Sequence, residues 1–351
     1  MSQYTNKQEL PSLDTAPAGS LRFNTDSLKL EIYNGEAWWN VDATSPDQQT
    51  GGTRMLIGGG KLTHPARQNV IQFINLDTIG NAIDFGDLLN QTNENHVASS
   101  RTRGIFAGTY TPGSVSNLIE FVTIASQGDS VDFGGDLTLA RRGGHSASSE
   151  TRGIFAGGFD NSDRTNNIDF ITIASTGINA TDFGDLTLKG MNGGCALVSS
   201  PTRGVFGGGD TPGAKINNIQ YITISTLGNA SDFGDLNELR GSVAGGSNAV
   251  TGIYGGGVSP SYTKSMDKIT IATTGNAVDY GDLLAVIASF GGGASRTRVA
   301  FAGGYSPSGP TKVNTIQYKE IASGGDTQDF GDLLQNIAVG AVVTNGHGGL
   351  G

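Results

Sequence analysis

The chain has 351 residues, 55 of them glycine, yet aliphatic and aromatic residues remain plentiful. That balance excludes collagen, which needs a strict glycine triplet, and a disordered chain, which has few apolar residues. The formal charge of −10 arises from 32 acidic against 22 basic residues and comes without a cluster of cations, which argues against nucleic acid as a partner.

In chain order, the first residues are polar and lack the apolar core of a secretion signal. No apolar run approaches the ~20 residues needed to span a bilayer, so no membrane insertion is expected and the product is made soluble in a cytoplasm. Gly19-Ser20-Leu21-Arg22-Phe23-Asn24-Thr25-Asp26 then leads into a stretch from Leu28 to Val41. Asn34-Gly35 within it is a two-residue hairpin signal, since both residues tolerate positive φ. Pairing across that turn sets Leu28, Leu30 and Ile32 opposite Val41, Trp39 and Ala37, an apolar face. Residues 1–50 are thus expected to be a small β-rich module.

From residue 51 the chain repeats itself. Asp-Phe-Gly-Asp or a close variant begins at Asp84, Asp132, Asp182, Asp232, Asp279 and Asp329. About midway between these tetrads lies a short apolar strand ending in glycines, as in Met55–Gly60, Ile105–Gly108, Ile154–Gly158, Val205–Gly209, Ile253–Gly257 and Ala300–Gly304. In the third unit the expected strands are 144–149, 153–156 (stopping at the paired glycines), 168–173 and 180–186. Branched and aromatic residues mark them, with Ser175-Thr176-Gly177 as a turn. No window has sustained helical periodicity.

Four short strands in a unit of about fifty residues is what a propeller blade requires. A lone sheet of this kind would leave both apolar faces wet, and face-to-face packing around a ring buries them. The expected fold is therefore all-β, a six-bladed β-propeller over residues 51–351 behind the N-terminal module. After the sixth tetrad, Val339–Thr344 is by phase a further first strand. It is expected to pair beside the Met55 strand and join the two ends of the array. Cys195, the one cysteine, stands where sister units have Gly144 and Ala244 and reads as a small packing residue.

The units resemble the kelch repeat through Ala140-Arg141-Arg142-Gly143-Gly144-His145, Ile154-Phe155-Ala156-Gly157-Gly158, Asp169-Phe170 and Phe183. They depart from it in having phenylalanine or Tyr280 where kelch units carry tryptophan, in Thr109, and in Lys268 at the aromatic site of a third strand. The leading segment, Gly-Ser-Leu-Arg-Phe-Asn-Thr-Asp followed by Tyr33-Asn34-Gly35-Glu36-Ala37-Trp38, resembles one common in tail-fibre and other virion structural proteins of bacteriophages. Arrays of Asp-Phe-Gly-Asp units behind it are similar to structural proteins of marine cyanobacterial phages. That resemblance implies a virion component whose first module, with Phe23, Tyr33, Trp38 and Trp39, docks on other virion proteins. It also implies location in the virion and, as in many tail fibres, a homotrimer.

Six copies of Asp-Phe-Gly without a nucleotide loop or catalytic-loop signature dismiss a kinase. The aspartates are expected to accept backbone hydrogen bonds at turns; paired as in Asp182 and Asp185 they could instead hold calcium, though a dense oxygen-ligand loop is lacking. Thr-Arg doublets at Arg54, Arg103, Arg152, Arg203 and Arg298 either form a ring that binds an anion or pair with neighbouring turns, and Thr251 interrupts them. His64, His96, His145 and His347 share no metal-ligand spacing, and no nucleophile constellation is present, so neither cofactor nor catalysis is expected. The loops between second and third strands diverge most and share a side with the connections between units. Their Tyr110, Phe159, Arg164, Lys215, Tyr262, Lys264, Tyr305 and Lys312 offer aromatic and cationic contacts for a host-surface glycan or a protein, or else mark tolerated drift. A cellular kelch-like interaction module and, more remotely, a carbohydrate-active enzyme are the alternatives to the virion reading.

Overall fold

The computed structural model describes residues 16–24, 29–40, 52–62, 66–111, 113–190, 192–258, 260–307 and 311–351. The protein is all-β and divides into two compact units, Met1–Gln49 and Thr50–Gly351.

The first unit holds a three-stranded antiparallel sheet of Leu21–Asn24, Lys29–Tyr33 and Trp38–Asn40. Tyr33 pairs with Trp38 and Ile32 with Trp39, so the register expected from a two-residue turn is wrong by two residues. Asn34 is the cause. Its Oδ1 accepts from the amides of Glu36 and Ala37, both at 2.8 Å, and its own amide donates to the Ala37 carbonyl, which makes a longer loop. A shift of two keeps every side chain on its expected face. The expected Leu28–Val41 pair lies outside the described residues. Leu21, Phe23, Leu30, Ile32 and Trp39 share one exposed face. On the other, Arg22 pairs with Glu31 at 2.7 Å and lies 4.2 Å over the Trp38 ring, which packs on Tyr33.

The second unit is built from six small sheets of the same plan. The first sheet comprises Ala341–Thr344, Arg54–Gly58, Gln68–Asn75 and Ile83–Thr92, in that order. The second runs His96–Ser99, Arg103–Thr111, Ser114–Thr123, Val131–Asp136, and the third His145–Ser148, Arg152–Phe159, Arg164–Thr172, Thr181–Asp185. The fourth has Arg203–Asp210, Lys215–Thr223 and Ser231–Asp235. The fifth has Ala244–Ser247, Thr251–Gly255, Ser265–Thr270 and Val278–Asp282. The sixth has Gly291–Ala294, Arg298–Ala302, Val313–Glu320 and Gln328–Ile337. All neighbours within a sheet are antiparallel. Thr344 pairs with Met55 and Ala341 with Gly58, so the last strand of the chain lies in the sheet that the array begins.

Sequence reasoning ended the second strands at the paired glycines. In the third sheet the strand continues to Phe159, with a bulge between Ala156 and Gly158 that the positive φ of Gly157 and Gly158 permits. The outer strands bulge at the glycine of Asp-Phe-Gly-Asp, and the flanking aspartates put charge along the sheet edge. Charge and bulges both discourage edge-to-edge association.

The apolar core lies between the sheets. Ile154, Ile168 and Phe183 of the third sheet pack against Phe206 and Ile222 of the fourth, and the same layering joins the second to the third, the fourth to the fifth and the fifth to the sixth. Phe330 and Leu333 of the sixth sheet share a cluster with Leu56 and Ile71 of the first. Burying both faces of each sheet accounts for the nearly continuous apolar runs of the middle strands.

The tetrad is a clamp between sheets. The amide of its second aspartate donates to an Asx side chain in the turn of the next sheet: Asp87 to Asp129, Asp136 to Asn179, Asp185 to Asn229, Asp235 to Asn276, Asp282 to Asp326 and Asp332 to Asn81, all at 2.9–3.1 Å. The glycine is required by this approach, because a Cβ on Gly184 would fall 2.5 Å from the Gly228 carbonyl. Side-chain acceptance was the expected role of these aspartates. It occurs at Asp132, which takes the Gly134 amide at 2.7 Å, but the recurring bond uses the backbone instead.

Candidate binding face

Second strands end, and connections between sheets begin, on one side of the unit. Isolated bridges tie the two together at Asn93–Tyr110, Arg142–Phe159, Gly241–Val258, Ala288–Tyr305 and Lys61–Ala338. On this face Arg142 lies 4.5 Å from the Tyr110 ring and 5.2 Å from the Phe159 ring, while Arg67 also lies over the Tyr110 ring at 4.4 Å. Glu94 pairs with Arg142, and Asn93 accepts from Arg67. The structure therefore joins Tyr110 and Phe159, from different sheets, through the partly exposed Arg142 into one cation–ring group.

The other candidates make their own local contacts. Lys215 pairs with Asp210 at 2.5 Å and Lys264 with Asp282 at 2.9 Å. Arg164 sits half-buried opposite Phe159, and Tyr262 is exposed. Lys312 lies 5.0 Å from the Tyr305 ring. In the first unit Phe23 and Trp39 lie on the exposed apolar face, whereas Trp38, beneath Arg22, and Tyr33, packed on Trp38, lie on the opposite face. Sequence reasoning passed over Arg67, Glu94 and Arg142. The Arg141-Arg142 doublet was a visible signal, but nothing local tells which arginine faces outward. Arg141 is wholly buried and bonded to Asp169 at 2.9 Å.

In the middle of the unit, where the first strands meet, other described segments of the chain make contact with them. On the loop side one residue of each connection takes part in a circle of backbone bonds. Glu94 donates to Val339, Gly143 to Glu94, Asn192 to Gly143, Ser289 to Ser242 and Val339 to Ser289, at 2.6–3.3 Å. The Asn192 side chain bridges the remaining gap through both bonds to Val243, at 2.9 and 3.0 Å. Glu94, Ser242, Ser289 and Val339 all adopt positive φ there, strain that the circle holds in place. Below it Cys195, Ala196 and Leu197 leave their own sheet and pair in parallel with Gly291, Gly245 and Ser146. Cys195 is thus a packing residue as expected, but in the middle of the unit and not at the site of Ala244. The Val342 amide donates to its sulfur, and burial pushes its thiol up to about 11, which leaves it unreactive.

At the opposite end the first strands are tied by hydroxyls. Ser148, Ser199 and Ser247 accept from the amides of Ser99, Ser148 and Ser199, and Ser99 and Thr344 donate to the carbonyls of Thr344 and Ala294, at 2.8–3.2 Å. Residues 347–350 enter this collar. His347 Nδ1 accepts from the Gly349 amide, so Nε2 carries the proton and donates to the Ser99 carbonyl at 3.0 Å. A Cβ on Gly349 would overlap the Ser148 carbonyl. Burial, with Arg101 nearby, pushes His347 down to about 4.

The Thr-Arg arginines are committed to structure. Arg54, Arg103, Arg152, Arg203 and Arg298 donate to the carbonyls of Ile124, Ile173, Ile224, Ile271 and Leu76 in neighbouring sheets, at 2.7–3.0 Å. These bonds match the expected pairing of each arginine with a neighbouring turn. His96 and His145 are buried and pushed down to about 3 and about 4 by desolvation, and His64 lies outside the described residues. Among the described residues no three His, Cys, Asp or Glu side chains are grouped closely enough to hold a metal ion. No protein-family model matches the chain, and no curated protein shows significant sequence similarity to it.

Proposed function

We propose that residues 51–351 form a six-bladed, kelch-like β-propeller and that the chain is a non-enzymatic structural protein of a bacteriophage particle. In this reading it serves as a tail-fibre, adhesin or decoration component in the virion. The circular sets of hydrogen bonds, each passing from the sixth sheet back to the first, support a closed six-bladed ring. The kelch-like segments and the leading phage-like segment support the family reading.

One observation carries the non-catalytic role: the middle of the ring, where a propeller keeps its channel, is occupied by Cys195–Leu197 from one side and by 347–350 from the other. The loop face, with Tyr110, Arg142 and Phe159, and the apolar sheet face of the first unit are both accessible. We assign the loop face to a host-surface glycan or protein and the first module, through Phe23 and Trp39, to other virion proteins. Mass spectrometry of purified particles tests the assignment. The chain is expected in intact virions and absent when residues 1–50 are deleted, while the remaining unit stays folded. A chain missing from virions would instead be a cellular interaction module, and turnover of a bound glycan would overturn the non-enzymatic role.

A further inference from the structure

On the loop face most cations have a carboxylate partner: Arg142 has Glu94, Lys189 has Asp163, Lys215 has Asp210 and Lys264 has Asp282. Lys61 and Lys312 have none among the described residues. They lie where the first sheet meets the sixth. The Lys61 amide donates to Ala338 at 2.7 Å, Gly304 donates to Ile337 at 2.7 Å, and Val313 donates to Gly304 at 3.1 Å. This run of backbone bonds sets Lys61 beside the loop that bears Tyr305 and Lys312. All three side chains are half-buried, and Lys312 Nζ sits 5.0 Å from the centre of the Tyr305 ring. Partial burial and the charge of Lys61 both make Lys312 give up its proton more readily than a free lysine. Two ammonium groups held in this way repel each other, and an anion between them removes the repulsion. Tyr305 adds a rigid amphipathic surface beside the charges.

We propose that Lys61, Lys312 and Tyr305 form a subsite that takes the carboxylate of an acidic sugar residue, the sugar ring lying against Tyr305. This rests on the reading of the loop face as a glycan-binding surface and names the class of glycan. Lys61 and Lys312 share the carboxylate as charge-assisted donors, which a neutral sugar cannot satisfy.

The test uses the full chain, tetragalacturonate as the acidic probe and galactotetraose as the neutral one, with calorimetry as readout. Tetragalacturonate is expected to bind and the neutral sugar not to. The Lys61→Gln/Lys312→Gln variant should weaken binding by about tenfold or more, Lys312→Arg should retain it, and thermal unfolding should show both variants folded. NMR titration should find the Lys312 ammonium pKa raised when the probe is bound. Equal affinity for the two sugars, unchanged affinity in the double variant, or no binding of tetragalacturonate would each overturn the subsite. If the double variant binds as before and Arg142→Gln does not, the subsite falls while the loop-face reading stands. If no glycan on a broad array is retained, the glycan reading falls with it.

Discussion

The Tyr280 hydroxyl donates to the Ile321 carbonyl, the acceptor position that an arginine from the preceding sheet reaches at five other places in the unit. Elsewhere that arginine stacks on an aromatic residue of the third strand, as Arg152 does on Phe170 at 4.8 Å, and the aromatic packs edge-on against the tetrad phenylalanine, Phe183. In the fifth sheet all three members differ: Thr251 replaces the arginine, Lys268 the aromatic and Tyr280 the phenylalanine. Lys268 now lies 4.7 Å from the Tyr280 ring, so cation and ring have exchanged places.

Tyr280→Phe therefore restores the repeat's usual residue yet is expected to destabilise by about 1–2 kcal/mol, because a buried carbonyl loses its donor. The triple variant Thr251→Arg/Lys268→Phe/Tyr280→Phe should recover most of that loss in urea unfolding. A triple variant no better than Tyr280→Phe would show that the three positions do not act together.

A second exchange concerns a buried acceptor in each third strand. Gln72, Glu120, Asp169, Gln220, Asp267 and Gln317 each take a backbone amide from the preceding sheet at 2.7–3.1 Å. Asp169 and Asp267 have buried arginine partners, Arg141 and Arg240, while the sixth sheet combines Gln317 with Ile287. Arg240→Ile alone leaves Asp267 buried and unpaired and should cost about 3–5 kcal/mol. Arg240→Ile with Asp267→Gln copies the sixth sheet and should be far less costly. Additive losses in a double-mutant cycle would refute this coupling.

Glu120 is the acid without an arginine; Thr92 stands at the corresponding position. Its carboxyl accepts from Leu89 at 2.8 Å and Ser130 at 2.5 Å, but burial outweighs these bonds and raises its pKa. A raised carboxyl pKa means that folding favours the neutral form, so stability falls as pH rises above the ordinary carboxylate range. Glu120→Gln, already the residue in three sister sheets, should be more stable at pH 7 by on the order of 1 kcal/mol. The gain should vanish near pH 4, and a gain independent of pH would contradict the assignment.

His347 has the opposite dependence. Its folded pKa lies at about 4, below the ordinary 6.5, so the unfolded state binds the proton first as pH falls. Stability should decline from about pH 6.5 toward pH 4, by up to about 1.4 kcal/mol per pH unit from this residue alone. His96 and His145 add to the same window. Hydrogen exchange at the Gly349 amide should report opening of this segment first, and His347→Gln should flatten its pH response. A protection factor at Gly349, corrected for the intrinsic pH dependence of exchange, that is unchanged between pH 7 and 5 would count against a neutral imidazole holding this segment.

The order of the strands in the third unit, though not the ends of its two middle strands, was legible in the chain, as were the spacing of the repeat and the pairing of the last strand with Met55–Gly58, because local alternation and a fixed period carry that information. The first hairpin was legible in its faces but not in its register. Asn34-Gly35 names a turn, and only the bonds from Asn34 Oδ1 choose its length. The candidate loop residues were legible as types. Their grouping was not, since Tyr110 meets Phe159 only through Arg142, a residue of the connection between their two sheets.

The sequence by itself determined an all-β chain of six like units, because the period and the strand propensities are properties of neighbours along the chain. Only the tertiary structure decided which carbonyl each arginine reaches, which Asx each tetrad clamps, and that Cys195–Leu197 and His347–Leu350 meet the first strands in the middle. Those contacts join residues from about forty to about two hundred and fifty positions apart. Their partners are fixed by how the sheets stack, and no local pattern encodes them.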